Sequence, residues 1–439
     1  MSSLKATRLR LLDFRSVPMR TFHITWVTFF TCFFGWFGIA PLMPVIRQDL
    51  QLTQEQIGNS IIASVAITIF ARLFFGWLCD RIGPRLSYTL LLILGAFPVM
   101  LIGLSPDYQT FLLFRLAIGM IGASFVITQY HTSVMFAPQV VGTANATAAG
   151  WGNLGGGVTL MVMPLLFSGI VALGYTPGMA WRYSMVIPGA ALLIMGIVYY
   201  FFTQDTPEGN VLKRKPGTKE DAGARNAGWL TVCRDYRVWC LFLAYGACFG
   251  IEITLDNIAT LYFVDNFDLG LKEAGIIAGL FGMMNLFARA LGGIFGDRAG
   301  KRFGLWGRML ILGLFLLLEG VGIIVFSSLY ALPWAIFTML FFALFLKMSN
   351  GATYSVVPFL HRKSLGIVSG IVGAGGNVGA VVAGFLFKAE GLTYRDCLGY
   401  IGMAVCVIAG AVFLLSMAIR ATGDVASAEA EPVLKESLA

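Results

Sequence analysis

ARLFFGWLCDRIGPR at residues 71–85 and ARALGGIFGDRAGKR at residues 288–302 are two copies of one segment. Arg72, Gly76, Asp80, Arg81, Gly83 and Arg85 in the first recur as Arg289, Gly293, Asp297, Arg298, Gly300 and Arg302 in the second. Each lies 217 positions on (289 − 72), with no gap between the copies. Matches held in register over such a stretch mark an internal duplication, so the chain is built from two related halves.

Both copies are set in apolar surroundings. Of the 439 residues, 57% are hydrophobic and 12% charged, with a mean hydropathy of +0.79. A soluble domain of this size requires far more charged surface, so lipid is the solvent for most of the chain. A crossing helix takes about 20 mostly apolar residues. Stretches of that kind are predicted near 22–46, 57–80, 86–104, 109–136, 143–173, 181–203, 236–264, 273–297, 307–327, 331–358, 365–388 and 396–419. No cleavable signal peptide is expected, because the first twenty residues are basic and the first apolar run is too long. The seven cysteines fall mostly inside spans, with no CxxC and no metal-ligand spacing, and read as small packing residues. No metal, no cofactor and no enzymatic activity are expected.

The net charge of +8 follows topology rather than a nucleic-acid partner. Of the 31 Lys and Arg residues, 22 lie on the side of the amino terminus, five on the other (Arg47, Arg182, Lys272, Lys388, Arg395) and four deep within spans. That is the positive-inside asymmetry, which places both termini in the cytoplasm. Residues 204–235 interrupt the apolar pattern with Pro207, Gly209, Lys213, Arg214, Lys215, Pro216, Gly217 and Lys219. The expected organisation is therefore a six-helix half at 1–203, a cytoplasmic linker at 204–235, a second six-helix half at 236–419 and a cytoplasmic tail at 420–439. Duplicated halves of this kind are how many transporters are built, with substrate held near the midplane between them.

The GxxxDRxGxR pattern at the ends of spans two and eight resembles the loop signature of the major facilitator superfamily. The resemblance covers helix count, halves and motif placement, and implies an all-α integral membrane protein of twelve transmembrane helices in the major facilitator fold. Pro84 departs from it, standing where the pattern has a basic residue, whereas Lys301 fits in the second copy.

Charged residues well inside the spans are Arg72, Arg115, Glu252, Asp256, Arg289, Glu319 and Lys347. Each costs about 2.5–3.5 kcal/mol at a bilayer centre on insertion scales, so each requires a partner or a purpose. Arg72 precedes Asp80 by eight residues and Arg289 precedes Asp297 by eight. At about 1.5 Å per residue each guanidinium sits roughly 12 Å above the cytoplasmic helix end, close to the midplane of a core about 30 Å thick. Two arginines at matching depth on opposite halves make an anion site. The bland alternative is that each pairs with a buried acid. By depth, Glu319 is expected to pair with Lys347, and Arg115 with Glu252 or Asp256, which leaves no well-placed acid for Arg72 and Arg289.

A guanidinium presents planar paired donors that suit a planar oxyanion, and carboxylates and phosphate esters also fit, so the arginines alone do not decide. The glycine-rich spans narrow this. Span five contains TANATAAGWGNLGGGVTLMVMP and span eleven GIVSGIVGAGGNVGAVVAG, each with G-N-x-G at Gly152-Asn153-Leu154-Gly155 and Gly376-Asn377-Val378-Gly379. Small residues let helices approach closely, which explains most of the glycines but Asn153 and Asn377 less well, and a buried amide can give hydrogen bonds without adding charge. These stretches closely resemble the two signatures of the nitrate/nitrite porter family. The likeness extends to TCFFGWFGIAPLMPVIRQDL, GIEITLDNIATLYF and AGIIAGLFGMMNLFARALGG, and is strongest to the proton-coupled nitrate importers. It implies that Arg72 and Arg289 clamp nitrate, with Asn153 and Asn377 adding polar contacts. Phe125 and Tyr245 match positions where the family places aromatics around the anion, although an aromatic within a helix is more often plain packing.

Bringing one anion into a negative cell costs about 2.3 kcal/mol per 100 mV, which roughly two protons more than offset. No GxxxxGK[ST] loop is present to suggest ATP as the source. Arg115 opens RLAIGMIGA, which resembles the superfamily's fourth-span motif associated with proton coupling, and Glu252 is the carboxylate expected to titrate beside it, with structural pairing as the alternative. His131 reads as buried, neutral and hydrogen-bonded. The expected partners are nitrate, with nitrite a second candidate, protons and the lipid bilayer, in a monomer. The short linker and compact size suggest a bacterial inner membrane. A nitrate/nitrite exchanger is the nearest alternative, followed by an organic-anion porter and by an anion channel or sensor.

Overall fold

The computed structural model describes residues 5–137, 140–210, 231–360, 365–389 and 391–421. Regular structure among them is helical, apart from isolated β-bridges at Ala6–Phe136 and Thr206–Gly209. The first helices are α1 (Val17–Trp36), α2 (Met43–Asp49), α3 (Gln54–Ile82), α4 (Pro84–Leu101), α5 (Tyr108–Gly119), α6 (Ser124–Met135), α7 (Val141–Ala172), α8 (Pro177–Ser184) and α9 (Val186–Phe202). After residues 211–230 come α10 (Tyr236–Tyr245), α11 (Ile251–Phe267), α12 (Leu271–Met283), α13 (Ala288–Ser328), α14 (Leu332–Val356), α15 (Leu365–Lys388) and α16 (Tyr394–Ala421). Lys213, Arg214, Lys215, Pro216, Gly217 and Lys219 of the expected linker, and the tail beyond Ala421, lie outside the described residues.

Eleven segments among the described residues are long and apolar enough to cross a bilayer. One of them, Leu271–Ser328, has 58 residues. At 1.5 Å per residue that is about 87 Å, nearly three hydrocarbon cores of about 30 Å. It breaks at Gly304, whose φ of 64° and ψ of −152° are not helical. The segment thus has the length for two crossings, which the sequence draws near 273–297 and 307–327.

Contacts group the chain into two compact units. One comprises Met1–Lys215, Thr254–Leu286 and Gly384–Gly391; the other comprises Pro216–Ile253, Phe287–Ala383 and Leu392–Ala439. In the first unit, α3 shows how sequence sets orientation. A capping box starts it: Thr53 Oγ1 accepts from the Gln56 N–H at 3.2 Å, and Gln56 Oε1 accepts from the Thr53 N–H at 3.0 Å. Phe70, Leu73, Phe74 and Trp77 recur at helical spacing and form an exposed apolar stripe suited to lipid. Thr68, Ala71, Phe75 and Cys79 are buried on the opposite side, and Arg72 is carried among them. The helix ends at Gly83, whose φ of 86° only glycine adopts cheaply, and Pro84 opens α4 at its first turn, where its missing N–H costs nothing. The proline that departs from the loop pattern is therefore a helix-starting residue.

The two copies of the repeat turn differently. In the second, the positive φ falls at Gly304, four residues beyond Gly300, the counterpart of Gly83. Arg308, beyond that turn, reaches back with Nη1 2.5 Å from Asp297 Oδ1. In the first copy, Asp80 instead accepts from Tyr130 Oη at 3.1 Å, and the Arg85 N–H donates to Asp205 Oδ1 at 2.9 Å.

Candidate functional site

Arg72 and Arg289 each sit on an unbroken helical run leading to the repeat's aspartate, α3 for Arg72–Asp80 and α13 for Arg289–Asp297. In the first unit, Arg72 Nε donates to the Gly122 carbonyl at 3.4 Å, and its guanidinium carbon is 5.3 Å from the Phe125 ring centroid. Gly122 lies in a helix break and Phe125 in the first turn of the helix that follows it. The 3-10 turn Met120–Ala123 between α5 and α6 leaves carbonyls free of the α-helical ladder, and Gly122 supplies one of them. Phe29 of α1 packs 6.0 Å from Phe125, centroid to centroid. A Cβ on Gly152 would run into the Phe29 ring, so the α7 glycine lets that ring in beside Asn153.

The second unit also sets a ring against its arginine, but from the first span of its half rather than the fourth. The guanidinium carbon of Arg289 is 5.6 Å from the centroid of Phe249. Phe249 stacks on Tyr245 with centroids 5.0 Å apart and planes 14° from parallel, and Tyr354 meets Tyr245 edge-on at 5.1 Å. Phe249 lies in a π-helical turn, Gly246–Gly250, which separates α10 from α11 and re-aims its side chain. A Cβ on Gly376 of α15 would lie 2.5 Å from Phe249 Cδ1 and 3.1 Å from Tyr245 Cε1, so glycine again admits the rings beside an asparagine, Asn377.

Asn153 is 1% exposed and Asn377 0%. Neither polar atom of either amide has a hydrogen-bond partner among the described residues. Buried amides are almost always bonded, so these two, in matching G-N-x-G stretches, are left open to a partner from outside the described residues. In each unit, then, a guanidinium, a stacked ring and an unbonded amide accompany one glycine-rich helix. The chemistry fits a small flat anion that takes charge-assisted bonds at its edge and ring contact at its face.

Ion pairing differs from the sequence expectation. Glu252, not Glu319, holds Lys347, with Oε1 2.8 Å from Nζ. Its other oxygen accepts from Asn350 Nδ2 at 2.6 Å and lies 3.5 Å from Arg289 Nη2. Lys347 and Asn350 are three residues apart on α14 and so share a face, which delivers both to one carboxylate. Arg289 thus has an acid beside it where none was expected. Arg115, fully buried, donates through Nη2 to Asn257 Oδ1 at 2.9 Å and Ser64 Oγ at 3.2 Å, and has no ion pair among the described residues. Asn257 follows Glu252 by five residues, which turns a helical side chain by about 140°. The two therefore point to different neighbours, and the expected Arg115 pairing with Glu252 or Asp256 does not form.

His131 is buried with both nitrogens engaged. Nε2 is 2.8 Å from the Gln204 carbonyl oxygen, so it carries the proton, and Nδ1 is 2.6 Å from Tyr199 Oη, from which the neutral ring accepts. Phe29, Phe249, Tyr354 and Asn350 join the site without having been singled out in the sequence. Only Asn350 left a trace there, as an amide one helical turn beyond the buried Lys347; the aromatics are lost among 36 phenylalanines and 14 tyrosines.

The family model of the Major Facilitator Superfamily matches residues 25–384. High affinity nitrate transporter 2.5 of Arabidopsis thaliana is 43% identical over 408 residues, covering 92% of this chain and 80% of the relative. Nitrate transporter 2.1 of Chlamydomonas reinhardtii is 37% identical over 414 residues, covering 92% and 75%. The nitrate/nitrite transporter NrtP of Nostoc punctiforme is 29% identical over 471 residues, covering 90% and 92%. Among solved structures, an inward-facing, unoccupied bacterial homolog of the human lysosomal transporter Spinster aligns with a TM-score of 0.69 at 16% identity, over 92% of this chain and 94% of that one. At that identity the likeness speaks for the fold alone.

Proposed function

Because the chain belongs to the major facilitator superfamily and, within it, to the nitrate/nitrite porter family, we propose that it imports nitrate by proton symport through alternating access. The observation that carries this is the element repeated in both units: Arg72 with Phe125 and the unbonded Asn153, and Arg289 with Phe249, Tyr245 and the unbonded Asn377. Arg72 and Arg289 are the nitrate ligands in this reading. The two amides donate to nitrate oxygens, and the rings cover its faces. Nitrate transport is also what the named relatives share.

The coupling passes through Glu252, the carboxylate beside Arg289. An anion on Arg289 and a negative charge on Glu252 repel, so anion binding and proton binding in this cluster favour one another, and by linkage each strengthens the other equally. Arg115 acts on the other side of this scheme as a buried cation held by Asn257 and Ser64, a positioning role rather than a partner of Glu252. The protein works as a monomer in a bacterial inner membrane, its halves at 1–203 and 236–419 joined by a cytoplasmic linker, with both termini in the cytoplasm.

The test is nitrate uptake into proteoliposomes with and without an inward proton gradient, comparing wild type with Arg72→Lys and Arg289→Lys. Lysine keeps the charge but loses the planar fork; a lost charge-assisted bond of about 1.5–3 kcal/mol corresponds to an affinity roughly ten- to a hundredfold weaker. Gradient-driven uptake in wild type and its loss in both variants is the expected result. Uptake that ignores the gradient and requires internal nitrite refutes symport, and unimpaired variants refute the arginine ligands.

A further inference from the structure

We propose that Glu319 is the proton-binding group of this protein and that Lys347 is the switch linking it to the anion on Arg289, an assignment that rests on the symport reading above. Glu319 of α13 is fully buried, and neither of its carboxylate oxygens accepts a hydrogen bond among the described residues. Ser349 and Lys347 of α14 and Glu252 of α11 are its polar neighbours. The thiols of Cys248, in the π-helical turn, and Cys406, on α16, also face it. Glu252 thus holds Lys347 directly, Glu319 feels the same lysine's charge without bonding it, and Arg289 stands beside Glu252.

Counting charges shows what binding does. With no anion present, Arg289 and Lys347 balance Glu252 and Glu319. An anion on Arg289 cancels that cation and leaves one negative charge in excess, and an uncompensated buried charge costs several kcal/mol. One proton restores neutrality. Glu252 keeps Lys347 at 2.8 Å and Asn350 at 2.6 Å, so both of its oxygens are already held by donors. Glu319 has the Ser349 hydroxyl nearby but neither of its oxygens is held by a hydrogen bond among the described residues, so the proton goes to a Glu319 oxygen.

The sequence of events is a relay. Nitrate draws Arg289 from Glu252, and Glu252 then takes the full attention of Lys347. Lys347 ceases to compensate Glu319, which binds a proton from the outer water. When nitrate leaves Arg289 toward the cytoplasm, Arg289 returns to Glu252, Lys347 compensates Glu319 again, and Glu319 releases its proton to the inner water. The cluster accounts for one proton per nitrate.

The experiment uses the full-length chain in liposomes, with nitrate as the probe. A trapped pH dye reads proton movement, and labelled-nitrate counterflow reads anion movement without a gradient. Glu319→Gln mimics the protonated acid without a titratable proton. It is expected to keep counterflow within about twofold of wild type, to lose nitrate-driven proton movement by tenfold or more, and to flatten the pH dependence of nitrate affinity. Glu319→Asp, which keeps a carboxyl, is expected to retain both activities. Proton movement at the wild-type level in Glu319→Gln overturns the assignment, as does equal loss of counterflow in both variants, which marks the side chain as packing alone. If wild type itself moves nitrate without protons, the symport reading fails and the assignment fails with it, a result distinct from coupled wild type with an equally coupled Glu319→Gln.

Discussion

Replacing Glu252 with glutamine tests the buried charge cluster most directly. Glu252 is 1% exposed and Lys347 0%, so water screens their 2.8 Å pair very little. Removing one partner of such a pair costs about 3–5 kcal/mol, because the other charge is left buried and uncompensated. Glutamine keeps one oxygen that can still accept from Lys347 or Asn350, so the lower end, about 3 kcal/mol, is expected; this is roughly a hundredfold in the folding equilibrium. The same substitution leaves Arg289 and Lys347 with an excess positive charge, which nitrate can neutralise. Thermal unfolding in detergent should therefore show Glu252→Gln melting well below wild type in chloride, and nitrate should raise its midpoint more than it raises that of wild type. A ligand at a hundred times its Kd stabilises by about 2.7 kcal/mol, enough to recover most of the loss. A variant as stable as wild type in chloride would refute the paired-cluster energetics. A destabilised variant that nitrate rescues no better than chloride would refute the placing of the anion on Arg289.

Phe249→Ala, suggested only by the structure, removes the ring 5.6 Å from the Arg289 guanidinium. At about 0.5–2 kcal/mol for such a contact, the KM for nitrate should rise roughly two- to thirtyfold with folding intact, and Phe125→Ala should behave alike; wild-type KM values would exclude a ring contribution. Gly155→Ala and Gly379→Ala place a methyl against the Phe30 and Gly246 carbonyl oxygens, which are backbone and cannot rotate away. Both should collapse the yield of folded protein by gel filtration, whereas Gly169→Ala and Gly410→Ala, with nothing within 4 Å, should leave it unchanged. Asn257→Ala strips Arg115 of its amide acceptor and should lower thermal stability by about 1–3 kcal/mol without changing the ratio of protons to nitrate; a changed ratio would return Arg115 to the coupling machinery.

Much of this was legible without coordinates. Membrane helices, the duplicated segment and the paired G-N-x-G stretches are local patterns, and local patterns survive in one dimension. So does the isolation of Arg72 and Arg289 within apolar runs, because a charge in lipid is costly wherever the helix points. Depth alone predicts a Glu319–Lys347 pair, but depth fixes height along a helix and not direction around it. Lys347 and Asn350 turn together toward Glu252, and nothing in the spacing of α11 and α14 announces that encounter.

The sequence by itself determined the solvent, the all-helical class, the duplication and the residue types able to hold an anion, since each follows from hydropathy, period or the cost of burying charge. The tertiary structure decided which buried charges meet. It alone brings Phe249 over Arg289 through a π-helical turn, leaves Asn153 and Asn377 without partners among the described residues, and sets Lys347 on Glu252. Those outcomes depend on helix rotation and on breaks in the helical ladder, where a few tens of degrees exchange one partner for another at almost no change in local sequence preference.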